Sequence, residues 1–258
     1  MSTFLFDKTI FGPVKSRRLG ISLGINLLPN SRKVCNFNCI YCECGWNPEG
    51  KTKEKLPTID KVSELLEKRL IQMKENNEPL NVITFAGNGE PTMHPKFPEI
   101  IDATIALRDL YFPEVKIAVL SNSTLLYKPI VFESLKKIDQ NILKIDSALD
   151  TTCRLLNNPM GRFNINEIVK NLIRFEGKVI IQTLFLKGNF NGIKFDNSSP
   201  EEVIAWLQII KMVSPSFVML YTIERDTPAT GLQKISSERL YEILNIVEEE
   251  GFKGSISE

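Results

Sequence analysis

The sequence predicts an α/β fold, a partial TIM barrel of (β/α)6 form on a curved parallel sheet. Three observations predict it. Apolar, β-branched runs alternate with amphipathic stretches through six units in 258 residues, and such alternation implies a parallel sheet with right-handed crossovers. Six units fall short of the eight that close a full barrel, so the sheet stays partly open. The two segments richest in chemistry, around Cys35 and Glu90, directly follow strand-like runs, and ligands in such folds sit at the carboxyl ends of strands.

Residues 19–28 read as the first strand and feed a cysteine-rich loop. Residues 58–75 form an amphipathic helix with Val62, Leu65, Leu66 and Leu70 on one stripe. Residues 81–86 are a buried strand that ends in Gly87-Asn88-Gly89-Glu90-Pro91, before a helix over about 96–110. A strand at 115–120 ends at Ser121 and Asn122, a helix follows near 129–137, and a strand at 141–145 ends at Asp146 and Ser147. Residues 164–175 form a helix closed by Gly177, and a strand follows at 178–186. Ser199-Pro200-Glu201-Glu202 has the pattern of a capping box with Pro at the first helical position, opening a helix toward Val213. A strand at 217–222, a loop over 223–235 and a last helix from Ser236 or Ser237 to Gly251 complete the series. Residues 1–258 are thus expected to form one domain, with an amino-terminal extension (1–18), a core (19–251) and a tail (252–258).

Composition excludes wholesale disorder, collagen-like repeats and coiled coil: 43% of residues are hydrophobic and 24% charged, and the mean hydropathy is −0.08. No apolar stretch approaches the ~20 residues that span a bilayer, and MSTFLFDKTI lacks a basic leader ahead of a long apolar segment. A cytoplasmic protein without membrane association is expected. The net charge of +1 argues against a general nucleic-acid coat. Residues 1–55 nevertheless hold nine Lys/Arg against four Asp/Glu, a net of +5, which fits either an entrance for an anionic substrate or a solvated basic face.

Four of the five cysteines, Cys35, Cys39, Cys42 and Cys44, fall within ten residues. An odd count and reducing surroundings disfavour a disulfide framework, and a tight thiol cluster suits a soft metal. Structural zinc takes four Cys or His ligands, often as two separated pairs, whereas the single histidine here, His94, lies about fifty residues downstream. Three thiolates in CNFNCIYC can hold three corners of a [4Fe–4S] cluster and leave one iron open. Cys44 reads as a bystander thiol and Cys153 as a small buried hydrophobe. At the strand end, Gly87 and Gly89 permit close backbone approach, and Glu90 can accept from an ammonium group.

CNFNCIYC, with Tyr41 just before the third cysteine, resembles the cluster loop of the radical S-adenosylmethionine (radical SAM) superfamily. Gly12–Gly20 (GPVKSRRLG), LGINLLP, GNGEPTMHP, LKIDSALD, IIQTLFLKG and LYTIERDTPA resemble segments of an Fe–S oxidoreductase group related to the wyosine synthases of tRNA modification. The resemblance implies a curved six-stranded barrel and two cofactors, a [4Fe–4S] cluster on Cys35, Cys39 and Cys42, and S-adenosylmethionine. It implies that Glu90 receives the methionyl amino group, with Tyr41, Gly89 and Ser121 or Asn122 around the methionine end and Asp146 and Gln182 at ribose or carboxylate. Reductive cleavage to a 5′-deoxyadenosyl radical, hydrogen abstraction from a substrate, and a flavodoxin or ferredoxin electron donor follow from the same resemblance. Two departures stand out. Asn88 replaces one of two adjacent glycines, and no cysteine precedes Cys35 to hold the second cluster of the wyosine synthases.

Several residues keep two readings. Arg17 and Arg18 either grip an anionic substrate or anchor the amino-terminal segment through salt bridges. Lys144 pairs with a carboxylate or binds a substrate or SAM carboxylate, His94 reads as a packing residue over a base, and Tyr221 is core or pocket. The substrate is open, with a nucleic acid or phosphorylated metabolite compatible with the basic segment. Alternative functions are a glycyl-radical-enzyme activase, a non-enzymatic zinc or Fe–S module, and a scaffold that binds SAM without cleaving it.

Overall fold

The computed structural model describes residues 4–50 and 54–257. Lys51 and Lys53, counted in the basic amino-terminal segment, lie outside the described residues. The main sheet has eight strands: β1 (Ile10–Ser16), β2 (Gly20–Ile25), β3 (Val82–Phe85), β4 (Lys116–Ser121), β5 (Gln140–Lys144), β6 (Ile180–Leu184), and two later ones at Phe217–Tyr221 and Gly254–Ser257. Between those come two short strands, β7 (Leu186–Phe190) and β8 (Ile193–Asp196), so the later main-sheet strands are β9 and β11 around β10 (Leu232–Lys234). Every neighbouring pair of the main sheet is parallel except β1 with β2. The sheet curls through 207°, a half-barrel, as the strand–helix alternation predicts.

Helices cover its outer face: α1 (Ile59–Glu75), α2 (Phe97–Tyr111), α3 (Pro129–Leu135), α4 (Asp150–Asn157), α5 (Ile165–Ile173), α6 (Pro200–Val213) and α7 (Ser237–Glu249). α1 begins because the Thr58 side chain accepts from the Lys61 N–H, and it buries Val62, Leu66, Leu70 and Met73 at helical spacing. Opposite them, alternate residues of the strands (Ile83, Phe85, Ile117, Val119, Leu143, Ile181, Val218, Leu220) form the outward core. The residues between these, Val82, Ala118, Ile142, Ile180 and Met219, make a separate apolar layer inside the curl. The period of two therefore turns Thr84, Leu120, Lys144, Gln182 and Tyr221 into the lumen as well.

Four departures from expectation have physical reasons. The amino-terminal extension is partly an edge strand: β1 returns antiparallel on β2, and Phe11 packs on Gly24 so closely that a Cβ there would lie 2.0 Å from its ring. The tail is also a strand, because β11 finds the free edge of β9 and pairs with it in parallel. The expected strand at 178–186 ends at Leu184, and β7 turns away into a small antiparallel sheet with β8 and β10, the last lying within the expected loop 223–235. The capping box is half made. Ser199 caps α6, but Glu202 is buried and accepts from Ser147 Oγ (2.6 Å) and from Thr152, tying α6 to the β5–α4 connection instead of closing back on its own helix.

His94 has a fixed role as a packing residue. Its Nδ1 accepts from the Lys96 N–H (3.1 Å), which leaves Nε2–H to donate to the Pro57 carbonyl (3.0 Å). Burial holds its pKa below the ordinary 6.5. The unfolded chain therefore binds a proton the folded one refuses, so this contribution to stability is present above pH 6.5 and is lost as the pH falls below it. Urea unfolding between about pH 5 and 8 is expected to show this slope, and His94→Gln to flatten it.

Candidate functional site

The cysteine loop between β2 and α1 is pinned at both ends. Val34 and Gly89 form an isolated parallel bridge: the Val34 N–H donates to the Asn88 carbonyl (2.8 Å), and the Glu90 N–H donates to the Val34 carbonyl (3.2 Å). Only glycine fits at 89, with φ +138° and with the Val34 oxygen 1.7 Å from where a Cβ would sit. Further along, the Asn38 and Ile40 N–H groups donate to the Asn157 and Leu156 carbonyls, each at 3.0 Å. Those are carbonyls at the end of α4, which have no partner within the helix. The loop thus serves as that helix's carboxyl cap.

Asn88 accounts for the departure from paired glycines. Its side chain is fully buried and turned away from the cysteines; Oδ1 accepts from the Phe6 N–H (2.9 Å), while Nδ2 donates to the carbonyls of Phe6 (2.8 Å) and Pro29 (2.9 Å). It clasps the amino-terminal segment as a strand would. Phe6 in turn stacks on Phe11, and the Phe4 N–H donates to the Glu43 carbonyl in the cysteine loop (2.9 Å).

Two polar networks flank the thiols. On the Cys35 side, Glu90 is buried and accepts from the Thr92 N–H (3.1 Å) and hydroxyl (2.5 Å), from Ser121 Oγ (2.9 Å) and from the Asn122 N–H (2.7 Å). The Asn122 amide reaches on to Asn36 Oδ1 (2.7 Å) and Cys35 Sγ (3.6 Å). Burial raises the Glu90 pKa against those donors. No cation lies within ion-pair distance of Glu90 among the described residues.

On the Cys39 side, Lys144 pairs with Asp146 (3.0 Å), donates to Cys39 Sγ (3.3 Å) and to Asn157, and lies 4.7 Å from the Tyr41 ring centroid. Tyr41 donates to Asp146 and to Asn157 Oδ1 (3.0 Å), while the second Asp146 oxygen accepts from the Leu184 N–H (3.2 Å). Burial opposes the Lys144 charge, but Asp146 and Cys39 outweigh it and hold its pKa above the ordinary value.

Lys33, two residues before Cys35, is a buried ammonium that donates to the Gly45 carbonyl (3.0 Å). Burial pushes Cys35 up to about 12 and also raises Cys39, with Lys33 opposing both. A hydrogen bond from Cys44 holds Cys42 low against burial, with help from Lys33. The Cys44 thiol is 3.7 Å from the Gly87 carbonyl.

The structure therefore brings Cys35, Glu90, Ser121 and Asn122 together on one side, and Cys39, Tyr41 and Asp146 on the other. Gln182 stands apart from both networks. It faces the lumen beside Lys144 in register, and its Nε2 is buried with no hydrogen-bond partner. Lys33, Thr92, Asn36 and Asn157 also belong to the site and escaped the sequence reading. Lys33 had a signal in its spacing from Cys35; Asn157, 118 residues from Cys39, had none. Cys153 is buried with its thiol on the Ser147 carbonyl (3.1 Å), as a small core residue would be.

The donor set fits an iron–sulfur cluster. Three soft donors, the buried Cys39 and the half-buried Cys35 and Cys42, lie on one loop, with two lysines near them to offset thiolate charge. No three His, Cys, Asp or Glu side chains among the described residues form a group that could hold a single metal ion. A cubane with one thiolate per iron needs no such convergence. The family model of the radical SAM superfamily matches residues 30–207. The chain belongs to the radical SAM superfamily. That superfamily uses a [4Fe–4S] cluster and S-adenosylmethionine.

Among sequence relatives, a UPF0026 protein of Helicobacter pylori is 33% identical over 90% of this chain and 71% of its own length. Among solved structures, this radical SAM chain resembles Streptococcus suis SuiB bound to S-adenosylmethionine (TM-score 0.64, 16% identity, 88% of this chain and 49% of that one). It also resembles archaeal TYW1 (TM-score 0.55, 14% identity, 88% and 71%). At those identities the structural likeness is one of fold, and the chain spans about half the length of SuiB. No helix of the described residues is long and apolar enough to cross a membrane.

Two outcomes are expected of this radical SAM site. Gly89→Ala forces both a disfavoured φ and a clash with the Val34 carbonyl, and is expected to cost about 3 kcal/mol in urea unfolding and to lower iron uptake. Lys144→Met leaves Asp146 buried without its cation, and is expected to cost about 3–5 kcal/mol in the same assay.

Proposed function

We propose that the chain is a radical SAM enzyme in which Cys35, Cys39 and Cys42 hold a [4Fe–4S] cluster and Glu90 receives the amino group of S-adenosylmethionine. The observation that carries this reading is the junction of the two motifs. The Val34–Gly89 bridge sets the thiol loop against the strand end, and Asn122 touches Cys35 with its side chain and Glu90 with its backbone. Glu90 supports the reading because it is a buried carboxylate with only neutral donors around it. An ammonium group is the partner such a charge lacks.

Held by Cys35, Cys39 and Cys42, the cluster would supply the electron for reductive cleavage of S-adenosylmethionine, and the two cofactors together would supply hydrogen-abstraction chemistry at the substrate. The chain's own residues bind and orient. Gly89 brings backbone close to the methionine end without a side chain in the way, and Ser121 and Asn122 fix the Glu90 carboxylate. Asp146 and Lys144 hold the Tyr41 ring and the Cys39 sulfur in place. Of the two residues expected at ribose or carboxylate, Asp146 has both oxygens engaged within the chain, and Gln182 stands in the lumen apart from the Glu90 network. The apolar layer inside the curl and the Phe6–Phe11 stack over β2 give part of the lumen an apolar lining, which suits a reactive radical. Cys44 stays outside the ligand set, and a flavodoxin or ferredoxin completes the electron path.

Anaerobic reconstitution with iron and sulfide is expected to give about four irons per chain. Reduction in the presence of S-adenosylmethionine is then expected to release 5′-deoxyadenosine and methionine. Cys35→Ala, Cys39→Ala and Cys42→Ala should each abolish the release, while Cys44→Ser should retain both iron and release. Zinc without iron would favour a metal-binding module, and a full cluster that never cleaves the sulfonium would favour a binding scaffold.

A further inference from the structure

Arg18 lies in the turn between β1 and β2, and the salt-bridge reading offered for it fails: among the described residues it has no carboxylate within ion-pair distance. Its side chain instead enters the lumen, with the guanidinium carbon 4.8 Å from the Tyr221 ring centroid. That contact occupies one face of the cation and leaves its N–H donors without a protein acceptor. Tyr221 is itself a lumen residue, two positions beyond Met219 of the inner apolar layer, and its hydroxyl makes no hydrogen bond within the described residues. On the adjacent strand Gln182 pairs with Met219 in register, which makes it the diagonal neighbour of Tyr221 on the same face. Its Nε2 is buried and unpartnered, while the residue is 8% exposed.

A buried donor without an acceptor is uncommon, because it forgoes water for nothing in return, and the Gln182 amide is one. The half-buried Arg18 guanidinium and Tyr221 hydroxyl add two further donors without a protein acceptor on the same side of the sheet. The acid nearest them does not satisfy them, since Asp146 is taken up by Lys144, Tyr41 and the Leu184 N–H. Space adjoins Arg18 as well. Arg18 lines a cavity of about 110 Å³ with Ser22, Thr84 and Leu120, roofed by Phe6 and Phe11. It also lines a cavity of about 540 Å³ open at the amino-terminal ends of the strands.

We infer that Arg18, Gln182 and Tyr221 form a subsite for an oxyanion of the substrate, a carboxylate or a phosphate monoester, held in the barrel lumen. The inference rests on the reading of the chain as a radical SAM enzyme, and it deepens that reading by assigning the substrate a negative charge. The guanidinium supplies charge and a fork of donors suited to two oxygens, the amide donor completes the shell, and the tyrosine ring sets the height of the cation. Glu90 follows β3, whereas Gln182 and Tyr221 lie on β6 and β9 and Arg18 in the β1–β2 turn, so the methionine end and the substrate anion have separate anchors.

The test uses reconstituted protein without reductant, so that it reads binding and not sulfonium cleavage. Sodium acetate and inorganic phosphate are titrated separately at constant ionic strength, with acetamide as the neutral control, and thermal unfolding is followed. The expected result is saturable stabilisation by at least one anion and none by acetamide. Half-saturation should rise about tenfold or more in Arg18→Gln, because a charge-assisted contact is lost, and should rise less in Gln182→Leu. The anion that saturates at lower concentration identifies the oxyanion class. Arg18→Lys, which keeps charge without the fork, is expected to fall between wild type and Arg18→Gln, and it stands in if Arg18→Gln does not fold. Equal half-saturation in wild type and variants, or no saturable effect in wild type, overturns the inference. So does a loss of S-adenosylmethionine affinity in Arg18→Gln by equilibrium dialysis, which would make the anion that cosubstrate's own carboxylate. Release of 5′-deoxyadenosine is measured separately, so failure of the subsite and failure of the radical reading give different results.

Discussion

The site depends on one short backbone contact, the bridge between Val34 and Gly89. A loop carrying four thiols has little regular structure of its own, and ordering it costs conformational entropy. The bridge joins it to the carboxyl end of a central, buried strand, where the position of the backbone is set by the sheet. Because the approach leaves no room for a Cβ, this contact explains the glycine at 89 better than loop flexibility does. The same turn places Glu90 so that it caps the short helical turn at Pro91–Met93 and meets the end of β4. One glycine thus connects the donor loop, the buried acid and two strands.

Electrostatics divides the site into two unlike halves. Around Cys39 the buried charges are matched, with Lys144 between Asp146 and a sulfur, and the arrangement is self-sufficient. Around Cys35 the buried acid has neutral donors alone. A folded protein keeps an unmatched buried charge only where something else compensates it, and this asymmetry gives the lumen a direction. The lysine at position 33 adds a further positive charge beneath the thiols, and Arg18 brings another from the opposite end of the barrel. The uneven charge of the amino-terminal segment is therefore partly internal. Lys33 is buried and Arg18 is turned inward, while Arg17 remains exposed.

The fold was legible because its signals are local. Continuous apolar, β-branched runs mark strands that are buried on both faces, and the Ser199 cap marks a helix start at a fixed offset. β11 was not legible, because four residues of mixed polarity become a strand only through the free edge of β9. Glu202 looked like half of a capping box, yet tertiary packing placed two hydroxyls closer to it than its own helix end. Of the proposed site, Cys35, Cys39, Cys42 and Glu90 stand out in the sequence because soft donors and a glycine-flanked acid are unusual at such spacings.

What the sequence determined by itself is the type of chemistry and the order of strands and helices, since both follow from neighbours within a few residues. Only the tertiary structure decided which groups are matched and which are left waiting. Asp146 has its lysine, Glu90 has no cation among the described residues, Asn88 serves the amino-terminal segment, and Arg18 meets Tyr221 without an acceptor, with the unpartnered Gln182 on the adjacent strand. Such pairings join residues up to about two hundred positions apart, from Arg18 to Tyr221. They are set by the curvature of the sheet and the register of its strands, quantities that no short stretch of chain encodes.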